Sequence, residues 1–437
     1  MILTSAKPHI AFYTLGCKVN FSESSFISDI FYENGYQVVP FSKKADIYVI
    51  NTCGVTSAAV KKSRQIISSV KHKNPQAFLV VTGCITDTDA AVLDKLEHID
   101  LVIGTNEKDK IYQSINTVVT QGKPPAIKNT DGNDFFASYS LGGRTRAFVK
   151  IQDGCDYFCA YCVIPYARGR SRSNQIKNIV RQVEKITEAG IKEVVLTGIN
   201  IGDFKNDKKE TLTDLCETLE AIEPLQRLRL SSIEPDLLSD ALIRLISTSS
   251  KIMPHLHLPL QSGTDKVLKR MNRRYDTAFF AEKVFKIKKN IPDCCIGTDV
   301  IAGFPGESIA DFEAGMDFIE KLPLSYIHVF PYSSRPQAQS SGFENALDQS
   351  VIKNRTLALK ALAKNKKELF FSSQKGKVHR ILFEHINRRG FIYGFSENYV
   401  RVKTGFRKTL ANSIVKAPLS KIDEDGVFLL DSSKEFF

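Results

Sequence analysis

Residues 154–162 read GCDYFCAYC, and the three cysteines in that stretch, Cys155, Cys159 and Cys162, decide what kind of chain this is. The C-x-x-x-C-x-x-C spacing offers three thiolates within one tight loop, enough to hold three irons of a four-iron cluster. Such clusters are usually ligated by four cysteines, so a triplet leaves one iron open to another ligand. An open coordination position is what separates a reactive metal site from a structural one. A cluster with one free iron binds a small molecule and passes it an electron.

Working outward, the loop follows an apolar run, RAFVKIQ (146–152), and five comparable runs come after it: KEVVLTG, RLRLSSI, HLHLPL, CCIGTDVIAG and SYIHVF. Helical patterns lie between them. The clearest is NQIKNIVRQVEKITEAG, with apolar Ile176, Ile179, Val180, Val183 and Ile186 on one face and Gly190 at its end. Six strand–helix units of this length predict a partial (β/α)6, TIM-like barrel. Active residues then belong at the carboxyl ends of the strands, and the cysteine loop follows the first strand as that rule requires.

The segment before it has the same alternation. HIAFYTL, ADIYVINT, AFLVVTG and HIDLVIGT read as buried strands of a parallel sheet, with helices FSESSFISDIFYENG and SAAVKKSRQIISSVKHKNP between them. Three more cysteines, Cys17, Cys53 and Cys84, each stand just after a strand, in TLGC, INTC and VTGC. Ligand sites of open α/β sheets form at the carboxyl ends of the strands, so these three are expected to converge on one sheet edge as a second cluster site.

A polar stretch with Pro-Pro and Gly-Gly, residues 121–144, reads as a linker. Past the barrel, a basic helix runs from about Ser350 to Phe371. KVHRILFEH, GFIYGF, YVRVKT and GVFLL then read as short strands of a small OB-like β-barrel, a module that commonly binds RNA. The whole is an α/β protein with expected boundaries at 1–120, 121–144, 145–371 and 372–437.

Composition agrees with a soluble protein of several domains across its 437 residues. No apolar run is long enough to span a bilayer, and the N-terminus lacks the pattern of a signal peptide, so no membrane partner is expected and a cytoplasmic location is. Nine cysteines, an odd number, argue against a disulfide framework. Cys216, Cys294 and Cys295 read as packing thiols, which leaves the six cluster cysteines. The net charge of +12 points to a polyanionic partner. Between Val351 and Arg380 nine Lys or Arg face one acid, Glu368.

The blocks TLGCKVN, INTCGVT, KSRQ, GCDYFCAYCVIPYARGRSRS, LTGINIG, LSSIEP, HLHLPLQSG and GTDVIAGFPGE resemble, in this order, those of the radical S-adenosylmethionine (SAM) methylthiotransferases. The resemblance covers nearly the whole chain and is greatest to the branch acting on threonylcarbamoyladenosine in tRNA. The isopentenyladenosine and ribosomal-protein branches differ around the same blocks. It implies an N-terminal methylthiotransferase domain, a radical SAM core and a C-terminal TRAM domain. It also implies two 4Fe-4S clusters, on Cys155, Cys159 and Cys162 and on Cys17, Cys53 and Cys84. SAM would serve twice, as methyl donor and as source of a 5′-deoxyadenosyl radical. The product would be a 2-methylthio nucleoside beside the tRNA anticodon. A low-potential flavodoxin or ferredoxin is the expected electron donor, and the sulfur donor is left open.

The resemblance places Tyr161 at the cluster and Gly198 and Asn200 of the LTGxN block at SAM, while Glu234, Gln261 and Asp299, which end later strands, are expected to hydrogen-bond the ribose, adenine or substrate. For each of the later polar residues a barrel-layer or helix-cap role is the alternative. Arg168, Arg170 and Arg172 after the cysteine loop, Lys269, Arg270, Arg273 and Arg274, and Arg388 and Arg389 near the C-terminus are expected to contact RNA. Phe391, Tyr393, Phe395 and Tyr399 interleave with the last of these, some as core and some for stacking on bases. The segment Ser334–Ala338 departs from the family's usual Gly-Thr, and it either shapes the substrate pocket or simply connects.

Overall fold

The computed structural model describes residues 8–93, 95–96, 99–121, 135–141 and 145–431. Strands β1 (His9–Thr14), β2 (Gln37–Val38), β3 (Ile47–Thr52), β4 (Phe78–Gly83) and β5 (Leu101–Ile103) make one parallel sheet in the order β2-β1-β3-β4-β5. All six residues of β3 are buried, as a central strand covered on both faces must be. Ile47 and Val49 pack with Phe31 on one side, while Tyr48 and Ile50 pack with Ile67 and Val70 on the other. Cys53 and Cys84 directly follow β3 and β4, and Cys17 follows β1 after Leu15 and Gly16; the three strands are neighbours in the sheet.

Strand β6 (Arg146–Lys150) begins the barrel. The short pair β7 (Gln152–Asp153) and β8 (Arg172–Ser173) closes the base of the cysteine loop antiparallel. Strands β9 (Glu193–Thr197) and β10 (Arg227–Leu230) extend β6 in parallel, and β11 (His255–His257), β12 (Cys295–Ala302) and β13 (Tyr326–Pro331) form a second parallel set. Parallel bridges Leu228↔Ile252 and Ser232↔His257 join the two sets into one six-stranded arc. All six expected strands are present. Ile179, Val183 and Ile186 of the helix Ile176–Glu188 pack on the arc with Val149, Leu196 and Leu230.

Residues 135–141 of the expected linker are tied to the barrel: Tyr139 bridges Val149 antiparallel, and Ser140 N–H donates to the Phe148 carbonyl (3.0 Å). The remaining residues of that stretch, apart from Gln121, lie outside the described residues. The basic helix spans Gln349–Ser373 and lies along β13. Its Lys366 is buried and caps the helix Ile309–Lys321 by donating to the Leu322 carbonyl (2.7 Å), so not all of that basic run faces solvent.

The C-terminal strands β14 (Val378–Arg388), β15 (Phe391–Ser396), β16 (Arg401–Gly405), β17 (Ile414–Pro418), β18 (Lys421–Ile422) and β19 (Phe428–Leu429) form a sheet in the order β17-β14-β15-β16-β19-β18. It curls as a half-barrel rather than closing. It seals the amino-terminal end of the barrel through a buried ion cluster. There Arg229 Nε meets Glu193 (2.9 Å), while Arg227 donates to the Phe395 carbonyl (3.1 Å) and Arg229 to the Glu397 carbonyl (3.3 Å).

Candidate active site

Two sets of three cysteines stand on the N-terminal sheet domain and on the first loop of the barrel, and all nine cysteines are free. In the first set Gly16 holds φ +92°, and a Cβ there would stand 3.0 Å from Cys53 Sγ, so only glycine lets the Cys17 loop lie against Cys53. A Cβ on Gly54 would meet Cys84 Cβ at 3.4 Å, which brings the third cysteine to the same place. In the second set Gly154 (φ +72°) passes so close to the Arg170 carbonyl that any side chain would overlap it, and this fixes the entry to Cys155. Cys162 N–H donates to the Cys159 carbonyl (2.9 Å), folding the triplet into one turn.

Burial pushes the Cys53 and Cys155 thiols up to about 11, and raises Cys17 and Cys162 as well. Apolar surroundings therefore favour the protonated thiol until a metal takes the proton's place. Cys17 and Lys18 remain open to solvent although burial dominates the titration of both, which describes groups on the floor of a cleft. Around the second set, Arg273 donates to Cys159 Sγ (3.0 Å), Tyr161 OH (3.3 Å) and Glu234. Burial raises Glu234 despite that cation.

Between the two sets lies a buried polar network. Arg168 donates to Asp153 (2.8 Å), Glu23 (3.1 Å) and Asn20 Oδ1 (2.5 Å), and Glu23 also receives Lys150 (2.9 Å) and Lys108 (2.5 Å). Burial by itself would raise Glu23, but the three cations together outweigh it and hold the carboxyl well below its usual range. Asn20 in turn donates to the Leu15 carbonyl (2.9 Å) and the Thr52 carbonyl (2.9 Å), the backbone just before Cys17 and Cys53. One asparagine therefore clamps two cysteine loops and reads the barrel's arginine.

This overturns the expectation that Arg168 and Arg273 contact RNA. Both side chains are enclosed among internal partners, away from the surface an RNA backbone would touch. Arg172 is likewise turned inward, donating to the Arg168 carbonyl (2.7 Å) and Asn106 (2.8 Å). Arg270 grips the Pro305 carbonyl (2.9 Å) and lies over Phe343. Arg274 donates to the Asp156 carbonyl (2.8 Å) and stacks on Tyr157. By contrast Lys269, Arg170, Arg388 and Arg389 are exposed. A charge beside a motif defaults to the surface in a sequence reading; acids drew Arg168, Arg172 and Arg273 inward, while Arg270 and the exposed Arg274 are held by backbone carbonyls and rings.

Of the residues expected around SAM, Tyr161 and Glu234 meet at Arg273 beside Cys159. Gly198 and Asn200 sit on Gln152, whose Oε1 accepts from Ile199 N–H (3.0 Å) and Asn200 N–H (2.9 Å). The Asn200 amide oxygen and nitrogen are both buried without partners, an arrangement that suits a polar ligand in the cleft. Gln261 takes φ +70° and Asp299 meets His257 Nε2 (3.1 Å), whose Nδ1 pairs with Ser232 (2.8 Å). Asn20, Glu23, Lys108, Gln152 and His257 carry the site without having been singled out in the sequence. The TLGCKVN and HLHLPLQSG blocks held the signal for two of them. The Ser334–Ala338 loop connects: Arg335 pairs with Asp89 and Gln337 donates to the Thr88 carbonyl, just past Cys84.

A partial barrel with a three-cysteine loop after its first strand, and a polar cleft beside it, defines a radical SAM enzyme. Residues 9–104 match the uncharacterized protein family UPF0004 and residues 149–319 the radical SAM superfamily. The chain is 36% identical over 422 residues to threonylcarbamoyladenosine tRNA methylthiotransferase MtaB of Bacillus subtilis (strain 168), covering 94% of each chain. It is 38% identical over 399 residues to the protein of that name in Aquifex aeolicus (strain VF5), covering 90% of this chain and 96% of that one. A tRNA-2-methylthio-N(6)-dimethylallyladenosine synthase of Desulfotalea psychrophila (strain LSv54 / DSM 12343) shares 33% over 356 residues, covering 77% and 79%. The chain belongs to the radical SAM tRNA methylthiotransferase family. The fold is also that of the radical SAM methyltransferase TsrM from Kitasatospora setae (TM-score 0.56, 14% identity, 76% of this chain and 77% of that one). Membership implies one 4Fe-4S cluster and SAM. No helix among the described residues is long and apolar enough to cross a membrane.

Proposed function

We propose that this chain places a methylthio group on carbon 2 of N6-threonylcarbamoyladenosine beside the anticodon of tRNA. One observation supports the reading: the loop regions carrying the two three-cysteine sets are locked together by the Arg168–Asn20–Glu23 network. Cys155, Cys159 and Cys162 hold the SAM-binding cluster, and Cys17, Cys53 and Cys84 hold a second, auxiliary one. When bound, the clusters and SAM supply the sulfur, the methyl group and the radical able to take hydrogen from an unactivated carbon.

The protein's own residues orient and exclude water. Asn200, Gly198 and Gln152 receive the polar parts of SAM. Arg273, beside Cys159, offers a cation to its carboxylate, and Glu234 accepts from that guanidinium and holds it in place. Gln261 and Asp299 face the base. Anticodon-loop bases are open to splaying, and an enzyme acting on a base takes it out of its stack. Residues 372–437, read as a TRAM domain, offer Arg388 and Arg389 to the RNA backbone, and Lys269 and Arg170 do so at the cleft mouth. The division into 1–120, 121–144, 145–371 and 372–437 follows these roles. A low-potential flavodoxin or ferredoxin in the cytoplasm would supply electrons.

Nucleoside mass spectrometry of bulk tRNA from cells without this chain, and with it restored, tests the reading. 2-Methylthio-threonylcarbamoyladenosine should vanish and return. If only the dimethylallyl nucleoside responds, the substrate is wrong. If no tRNA nucleoside changes, tRNA is not the substrate, and a ribosomal-protein aspartate becomes the next one to test.

A further inference from the structure

A cavity of about 780 Å³ opens beside the inner face of β10, β11 and β13, between the Gln349–Ser373 helix, the C-terminal sheet and Lys18 of the N-terminal sheet domain. Its composition is one-sided. Five Lys or Arg and three His line it, and none of its described lining residues is Asp or Glu. Exposed Lys360, Lys364 and Lys367 stand at the helix side, while Lys18, His257 and His328 stand at the inner end.

Several groups at the inner end are uncommitted. Ser231 Oγ and His255 Nδ1 are buried without a partner, and both residues line the cavity. Among the described residues the Lys18 ammonium has no hydrogen-bond or ion-pair partner, and Lys18 follows Cys17 directly. A buried polar atom left unpaired is costly, so such atoms mark places where a ligand completes the structure.

The substrate's chemistry says which ligand. On the adenine ring only N1 separates carbon 2 from the carbon bearing N6. Whatever holds carbon 2 before a sulfur on the Cys17 set therefore holds the N6 substituent a few atoms away. A threonylcarbamoyl substituent ends in a carboxylate and a hydroxyl, whereas a dimethylallyl one is wholly apolar. We infer that the inner end of this cavity, formed by Lys18, His328 and Ser231, is the subsite for the carboxylate-bearing N6 substituent of the substrate nucleoside, with Lys18 as the specificity-determining cation. The inference rests on the substrate reading above. It accounts for a wall rich in cations, which an apolar substituent would not need; the one acid beside it, Asp299, is engaged by His257 Nε2 (3.1 Å).

The test uses the full chain with clusters reconstituted anaerobically. Three tRNAs are compared by equilibrium binding: threonylcarbamoylated, the same with its carboxylate methyl-esterified, and the plain adenosine form. Wild type should bind the free carboxylate about tenfold more tightly than the ester, in line with the loss of one buried charged partner. Lys18→Gln should bring that ratio close to one, and Lys18→Arg should retain it. His328→Phe, away from the cysteines, should also reduce it and decides the matter if Lys18→Gln loses iron. A ratio unchanged in Lys18→Gln and His328→Phe, or a loss equal for all three tRNAs, overturns the subsite. If wild type methylthiolates threonylcarbamoylated tRNA yet binds ester and acid alike, the subsite is wrong and the substrate reading stands. If wild type acts only on dimethylallyl tRNA, both fall.

Discussion

Arg168 donates to Asn20 Oδ1 over 2.5 Å, and through this hydrogen bond the loop carrying one cysteine triplet is tied to the loops carrying the other. Asn20 spends its amide nitrogen on the Leu15 and Thr52 carbonyls, so its oxygen is the one atom left to read the barrel. The two cysteine-bearing halves are therefore a single mechanical unit. Asn20→Ala should loosen the Cys17 and Cys53 loops without touching Cys155. The expected outcome is a chain that loses about half of its iron, one four-iron cluster of two, while still cleaving SAM. Iron retained in full by Asn20→Ala would show that the clamp does not set cluster binding.

The same division of labour separates the cysteines themselves. If the open-iron cluster lies on the Cys155, Cys159 and Cys162 triplet, as proposed, Cys155→Ala should abolish SAM cleavage. Cys53→Ala should leave 5′-deoxyadenosine formation and lose thiolation of tRNA. Full methylthio product from Cys53→Ala would remove the auxiliary cluster from the Cys17, Cys53 and Cys84 set.

Much of this was legible in the chain. The central strands β3, β4, β9 and β10 are buried runs, and buried runs announce themselves by composition. The positions of the six cysteines follow from strand ends alone. What the sequence hid is which charges turn inward. Arg168 finds Glu23 and Asn20 145 and 148 residues away, and no local pattern marks such partners. Strand β17 escaped as well, being five residues between a turn and Pro418 with alternate residues exposed.

Glu193 supplies a pH signature. Burial would raise its carboxyl, but Arg229, Arg146 and Arg227 outweigh that and bring it down to about 2. A carboxyl held lower in the folded than the unfolded chain contributes stability that is fully present above its ordinary value of 4.5 and is lost as pH falls towards 2. Glu193→Gln should cost about 3–5 kcal/mol at neutral pH, since it strands buried arginines. That cost should shrink as pH falls below 4.5. Denaturant titrations of both proteins across that range give the difference; a cost independent of pH would mean Glu193 is not ionised in the fold.

Arg388 and Arg389 occupy the exposed tip between β14 and β15, where Arg389 and Gly390 both take positive φ. If they neutralise phosphates, removing both should flatten the salt dependence of tRNA binding. On single-stranded RNA the log–log slope should fall by about 0.7 for each phosphate no longer neutralised. Equal slopes for wild type and Arg388→Ala/Arg389→Ala would place the RNA elsewhere.

Asn200 offers the cleanest separation of binding from folding. Its side-chain oxygen and nitrogen are buried and make no hydrogen bond within the chain, while its backbone N–H is held by Gln152. Removing a buried polar group normally strands its partner, and that stranded partner is most of the cost. Here there is none, so Asn200→Ala should leave the unfolding midpoint of the cluster-free protein unchanged or slightly raised. The loss should show only with ligand present. SAM affinity, measured anaerobically on the reconstituted protein, should fall about tenfold or more, since each 1.4 kcal/mol is a factor of ten and a hydrogen bond to a charged group contributes about 1.5–3 kcal/mol. Gln152→Ala should lower both, because Gln152 holds two backbone amides besides shaping the cleft. An Asn200→Ala protein that unfolds early yet binds SAM normally would make Asn200 a packing residue and move the ligand to another wall of the cleft.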